Sequence, residues 1–549
     1  MTRLLPFLAL SAMFPGCVPD VEVLGGGGPP SGGGDPTGGS PPTVQGTSPD
    51  LDLLLVVDNS IGMAAKQARL AGEIETLIRG LVDPPCVNAA GDIEPPAEGG
   101  ACGAGAARQF APVRSLHVGI ISSSLGDLTG GACSSVANSD DHARLLDRGA
   151  SGTVATEGGL GFLAYEQGVD VSPDDLIEKT QSLILGADQQ GCGYEMPLEA
   201  MARFLVEPEP YQTLAKDGSL LAKQGADQLI LQQRAAFLRP TSSVAVVLLS
   251  DENDCSIDVA GNGFLTLRTT PFYKATAVCE VDENDPCCTS CALAEGLGCS
   301  LDGCNDGANS TYAIADDHPN LRCWDQKRRY GVDFHYPVQR YVNALSAATI
   351  DPADPSYGGP NASVANPLFA GGRDPSQITF LTVTGVPWQD VVVDPTDNAS
   401  RYRTADELSA AGAWDWITGS QPGDPFMIEG FAKRTGTNPA NGANVAVDND
   451  VNGGDFSIPE EDSLQYSCLF MLEQPITQSS ICGDCIGSEC DNPACDGPVQ
   501  IYGNASPGVR QIEVARGLGS RGRVASVCRL PDDHTAMDAL LVRLAPTLD

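Results

Sequence analysis

Two nearly unbroken apolar runs, each ending in a carboxylate, constrain this chain more than any other feature. Leu51-Asp52-Leu53-Leu54-Leu55-Val56-Val57 runs into Asp58, and Val244-Ala245-Val246-Val247-Leu248-Leu249 runs into Ser250-Asp251. Runs of this kind suit strands buried on both faces, as in a parallel sheet covered by helices. Leu70, Ile74, Leu77, Ile78 and Leu81 recur at helical spacing and predict a helix over 63–81. Leu116–Ile121 reads as a further strand. A helix is expected from Pro173 to Leu185, with Ser172 as N-cap and acids in its first turn. Another opens at Pro197 with Leu198, Met201 and Leu205 on one face; Tyr336–Ala347 reads as a helix and Ile378–Val383 as a strand. Strands alternating with helices predict an α/β fold, a doubly wound and mostly parallel sheet.

In such sheets ligands gather beyond the carboxyl ends of the strands. The polar residues that follow the two apolar runs are Asp58-Asn59-Ser60-Ile61-Gly62 and Ser250-Asp251-Glu252-Asn253-Asp254. Two carboxylates at strand ends with a hydroxyl two residues on describe a hard-cation site, for Mg²⁺, Ca²⁺ or Mn²⁺. The bland alternative is that Asp58 and Asp251 cap loops and bind nothing.

Asp58-x-Ser60, a Gly191-Cys192-Gly193-Tyr194-Glu195-Met196-Pro197-Leu198 segment before a helix, and Asp251 after a second buried strand occur here in that order. Together they resemble the von Willebrand factor type A domain and its metal-ion-dependent adhesion site. With the later cysteines and Gly385-Val386-Pro387-Trp388, the chain looks like large bacterial secreted A-domain proteins. The resemblance covers residues 50–400 and implies a Rossmann-type sheet. It implies a metal held by Asp58, Ser60, Glu195 and Asp251, and capture of a protein or surface ligand that depends on that metal. Two positions depart from the family pattern. Gly62 stands where a serine ligand is expected, and Glu195 where a threonine is expected. An added carboxylate should tighten cation binding and weaken attraction for an acidic partner.

Asp448-Asn449-Asp450-Val451-Asn452-Gly453 resembles the first half of an EF-hand-like calcium loop, with Asp448, Asp450 and Asn452 as ligands. Pro459 replaces the terminal glutamate, and a solvated acidic loop is the alternative. Cys288-x-x-Cys291 and Cys482-x-x-Cys485 raise zinc or redox chemistry, against which stand disulfides in an exported chain.

Export is read from the first residues. Arg3 precedes the apolar run Leu4–Phe14, and Pro15-Gly16-Cys17 follows. That run is too short to span a bilayer and suits a secretory signal. A small residue before Cys17 resembles a lipobox, which makes Cys17 the lipidated first residue of a lipoprotein; plain cleavage and release is the alternative. Residues 18–49, rich in Gly and Pro, read as a disordered tether. There are 19 cysteines, so setting Cys17 aside leaves 19 − 1 = 18, an even number available for pairing. They concentrate in an insertion at 255–330 and a segment at 460–530. The second lies within a C-terminal extension, 401–549, expected to pack on the A domain.

Composition excludes some partners. With 32 Lys+Arg against 71 Asp+Glu, the formal net charge is −39, which repels nucleic acid and anionic lipid and attracts cations. The membrane is therefore reached only through the lipid anchor. Five scattered histidines, with no Gly-x-Ser-x-Gly elbow and no Walker loop, give enzyme chemistry little footing. The expectation is a cell-envelope lipoprotein, placed at the outer membrane, whose A domain binds an unknown partner through a metal and is not an enzyme. An architectural envelope protein with a purely structural metal is the alternative, and a hydrolase using metal-activated water between Glu195 and Asp251 is the third reading.

Overall fold

A computed structural model describes residues 50–88, 101–131, 138–170, 172–217, 220–260, 271–304, 325–397, 400–418, 466–477 and 494–529, with a few shorter pieces between and beyond them. Cys17, the 18–49 stretch, the Asp448–Asn452 loop, Cys485 and Cys490 lie outside the described residues.

The elements that build the central layer are β1 (Asp50–Val57), α1 (Ala64–Val82), β2 (Ser115–Ser122), β3 (Phe162–Glu166), α2 (Asp174–Gly186), α3 (Pro197–Leu205), α4 (Gln228–Phe237), β4 (Ser243–Leu249), α5 (Val338–Ala344), β5 (Ile378–Thr384), α6 (Val509–Gly517) and β6 (Gly522–Ser526). Six strands lie in the order β6-β5-β4-β1-β2-β3. All neighbours are parallel except β3, which runs antiparallel to β2 at the edge. This is the α/β sheet that the apolar runs predict.

Every residue from Leu51 to Val57 and from Ser243 to Leu249 is buried, so both faces of the sheet are covered. Each such Leu or Val contributes about 1.5–3 kcal/mol by leaving water. Asp52 is the polar exception inside β1, and it is satisfied by Arg239, whose Nε donates at 2.8 Å and whose backbone N–H donates at 2.9 Å. Helix α1 buries Leu70, Ile74, Leu77, Ile78 and Leu81, the residues whose spacing predicted it, and packs along α2. Helix α3 packs on α4 and α5.

Three expectations shift. Helix α5 is shorter than Tyr336–Ala347: Pro337 is itself extended, at ψ 145°, and takes the N-cap position, and the helix ends at Ala344. Pro173, not Ser172, takes the N-cap position of α2, while Ser172 Oγ still accepts the Asp174 N–H at 3.2 Å. The sheet also does not end near residue 400: α6 and β6, from the stretch read as a C-terminal extension, supply its sixth strand. Their signal is short, and polar residues Arg510, Gln511 and Arg523 are buried among it.

Eight disulfides join described cysteines: Cys86–Cys102, Cys133–Cys192, Cys255–Cys323, Cys279–Cys288, Cys287–Cys299, Cys291–Cys304, Cys468–Cys528 and Cys482–Cys495. Neither Cys288 nor Cys482 bonds its Cys-x-x-Cys neighbour. Four of the bridges staple the 255–330 insertion, where helices are short and cross-links take over from a core. This number of disulfides points to an extracytoplasmic protein. Among the described residues no helix is long and apolar enough to cross a membrane.

Candidate metal centre

Strand order reverses between β1 and β4: β2 lies on one side of β1, and β5 lies on the far side of β4. Crevices beyond the carboxyl ends at such a switch point are where open α/β sheets bind ligands. The parallel register sets Val57 level with both Leu249 and Ser122. Asp58, Ser250 and Ser123 are therefore the first residues past the sheet on three adjacent strands.

Asp58 is fully buried and its carboxylate is well supplied with donors. It accepts the Ser60 N–H at 2.8 Å, Ser250 Oγ at 2.7 Å and Ser123 Oγ at 3.4 Å. Asn59 anchors the loop. Its Nδ2 donates to the Asn138 carbonyl at 2.8 Å, its Oδ1 accepts Ser124 Oγ at 2.8 Å, and its own carbonyl accepts the Gly191 N–H at 2.7 Å. Gly191 comes so near that a Cβ there would fall on Asn59, so only glycine permits this approach. The segment it leads is then fixed over the end of β1. Met196 N–H donates to the Ser123 carbonyl at 3.1 Å and Cys255 N–H to the Glu195 carbonyl at 2.8 Å.

The sequence thus brings Asp58, Ser60, Glu195 and Asp251 to one place, all buried. Their charges are under-compensated. Burial, then repulsion from Asp251, raises Asp58 from 3.8 to about 6, against the hydrogen bonds from Ser60 and Ser250. Burial and repulsion from Glu252 and Asp58 hold Glu195 well above the usual carboxylate range. Glu252 adjoins Asp251, and desolvation of its carboxyl, then repulsion from Asp251 and Asp58, raises it to about 8. Two oxygens remain orphaned. Asp251 Oδ1 is buried without a hydrogen bond, and so is Ser60 Oγ, which lies near Asp58 but outside hydrogen-bond geometry. Orphaned oxygens on two of the four named residues, in an all-oxygen donor set, fit a hard divalent cation.

Sequence reasoning missed Lys66. It is 3% exposed, and its Nζ forms an ion pair with Asp251 Oδ2 and donates to the Gly62 carbonyl at 3.2 Å. The signal was present: Lys66, Leu70 and Ile74 share one face of α1, and a charge on a buried stripe needs a partner. Glu252 was passed over as well, although it adjoins Asp251. Gly62 explains the missing serine. Its φ is +100°, a conformation that strains any residue with a side chain, although a Cβ would meet nothing nearer than Lys66 Nζ at 4.0 Å.

The arrangement is open rather than tight. Among the described residues, the groups in which three Cys, His or carboxylate ligand atoms lie within 4.8 Å of one another are Cys255, Cys323 and His335, and Asp127, Asp140 and His142. The first is spoken for, since Cys255 and Cys323 are joined in a disulfide. Asp58, Glu195 and Asp251 stand further apart, so a small ion among them would reach part of its donor set through water, as Mg²⁺ commonly does. Comparison with family models, curated proteins and solved structures finds no match for the chain.

Proposed function

We propose that this chain is an exported, lipid-anchored A-domain protein that binds a protein or surface ligand through a divalent cation held by Asp58, Ser60, Glu195 and Asp251. The observation that carries this reading is the pair of orphaned oxygens, Ser60 Oγ and Asp251 Oδ1, near carboxyls that burial and mutual repulsion have raised. A bound Mg²⁺, Ca²⁺ or Mn²⁺ supplies the missing positive charge and an exchangeable position for a partner's oxygen. The chain's own residues do the rest. Ser250 and the Ser60 N–H orient Asp58, the Cys255 N–H fixes the backbone at Glu195, and Ile61, 81% exposed beside Ser60, offers a partner apolar contact at the mouth.

Lys66 favours a second reading, an architectural envelope protein whose cation serves stability alone. An internal ammonium already pairs Asp251, and Glu195 adds negative charge that discourages an acidic ligand. Capture from envelope extracts separates the two. The full-length mature protein should retain a partner in Mg²⁺, release it in EDTA and fail to retain it as Asp251→Asn. Retention indifferent to both changes would favour architecture and sink the binding proposal.

A further inference from the structure

His142 sits between two carboxylates outside the site described above. It is 9% exposed, and its Nε2 lies 2.7 Å from Asp140 Oδ1 and 3.0 Å from Asp127 Oδ1. Its other ring nitrogen, Nδ1, is buried and has no hydrogen-bond partner, so the ring's polar contacts are all made at Nε2.

Two passages of the chain deliver these groups. An isolated antiparallel bridge between Leu125 and Asp140 sets them side by side. Gly126, at φ +60°, lets the Asp140 carboxylate in, since a Cβ there would fall on its Oδ1. The frame around them is held from outside the cluster. Arg148 takes the neighbouring Asp141 at 2.5 and 2.7 Å, and the buried Arg203 donates to the His142 carbonyl at 3.1 Å. Disulfide Cys133–Cys192 ties the intervening loop to the segment that precedes α3.

The spacing and charge of the three donors say what they would hold. A tetrahedral ion bound at about 2.0–2.2 Å sets neighbouring ligand atoms about 3.3–3.6 Å apart, so the 2.7 and 3.0 Å separations here would open by about half an ångström to admit it. One ring nitrogen facing two anionic oxygens leaves net negative charge whether or not the ring is protonated. An imidazole with two carboxylates suits borderline ions such as Zn²⁺ better than Ca²⁺ or Mg²⁺. Asp127 has a side chain 60% exposed, so the cluster opens to solvent and a fourth position is free for water or an incoming oxygen ligand. We infer that Asp127, Asp140 and His142 form a zinc-class site with one open side, separate from the hard-cation centre at the ends of β1 and β4.

The test uses the full mature chain, stripped with EDTA and dialysed, with Zn²⁺ alone as probe in titration calorimetry at neutral pH. With the hard-cation centre held by excess Mg²⁺, wild type should take up a single Zn²⁺ at micromolar affinity or tighter. His142→Ala and Asp140→Asn should each weaken it by about a hundredfold, while Asp251→Asn leaves it unchanged. Should His142→Ala fail to fold, Asp127→Asn on the exposed side carries the same expectation. Substitution with Co²⁺ should give a visible absorption spectrum that Asp127→Asn removes. Absence of Zn²⁺ uptake would overturn the site, as would uptake that survives both His142→Ala and Asp127→Asn or is lost with Asp251→Asn instead.

Discussion

Lys66 Nζ, on the buried face of α1, is ion-paired with Asp251 Oδ2 across the carboxyl end of the sheet. The ammonium lies beside Asp251 and Glu252, so it acts as a resident competitor for any cation there. Lys66→Met should raise affinity for Mg²⁺ by about tenfold or more, about 1.4 kcal/mol. In EDTA the same variant should lose about 3–5 kcal/mol, because Asp251 is left buried and unpaired. Calorimetric titration and urea melting read the two effects; an unchanged Mg²⁺ affinity would remove Lys66 from the account.

The raised carboxyls predict an unusual pH dependence. An acid raised in the fold binds its proton more tightly folded than unfolded, so the stability it contributes is full below its ordinary range and is lost as pH rises through the raised value. Asp58 moves from 3.8 to about 6, and Glu195 and Glu252 are raised too. Asp58 alone then accounts for about 3 kcal/mol. In EDTA the melting temperature should fall from pH 4 through pH 6 and beyond, and saturating Mg²⁺ should flatten that fall. A melting temperature that climbs over the same window without metal would contradict the crowding of these acids.

The buried ion pair between Arg340 and Glu199 should be costly to break. Arg340 donates to Glu199 from Nε at 2.9 Å and Nη2 at 3.0 Å, and Nη2 also meets Tyr357 Oη at 2.7 Å, joining α5 to α3. Helix α3 begins two residues after Glu195, so this pair bears on the candidate centre. Arg340→Ala should cost about 3–5 kcal/mol in urea denaturation. A loss under 1 kcal/mol would mean that the pair is solvated in solution.

Sixteen cysteines are paired among the described residues, two in each of eight bridges. Cys485 and Cys490 should complete the set. Alkylation before reduction should add no mass to the mature chain beyond Cys17 chemistry, and alkylation after it should mark all eighteen. Two thiols reactive before reduction would leave Cys485 and Cys490 unpaired.

What could be read from the sequence was what periodicity encodes. The runs at Leu51–Val57 and Val244–Leu249 are continuous because both faces of β1 and β4 are buried, and the acids after them lie at the switch point for the same reason. β6 was missed because Gly522-Arg523-Val524-Ala525-Ser526 has few apolar residues and becomes a strand by pairing with β5. Lys66 was missed because residue type was read ahead of helical position. Gly62 was read as a lost ligand, whereas its positive φ makes a serine there unfavourable on backbone grounds. Restoring the family's hydroxyl by Gly62→Ser should therefore destabilise the loop instead of completing the site.

The claim that a divalent cation belongs among Asp58, Ser60, Glu195 and Asp251 is tested most directly by thermal melting of the mature protein in EDTA and in Mg²⁺, for wild type and Asp251→Asn. Asparagine keeps the shape of the side chain and can still accept from Lys66, whose charge the Glu252 carboxyl also faces, so folding should survive. Wild type should melt higher in Mg²⁺, with about 2.7 kcal/mol of added stability at a hundredfold excess over Kd, and Asp251→Asn should show no shift. An equal shift in both proteins would place the ion elsewhere and contradict the account.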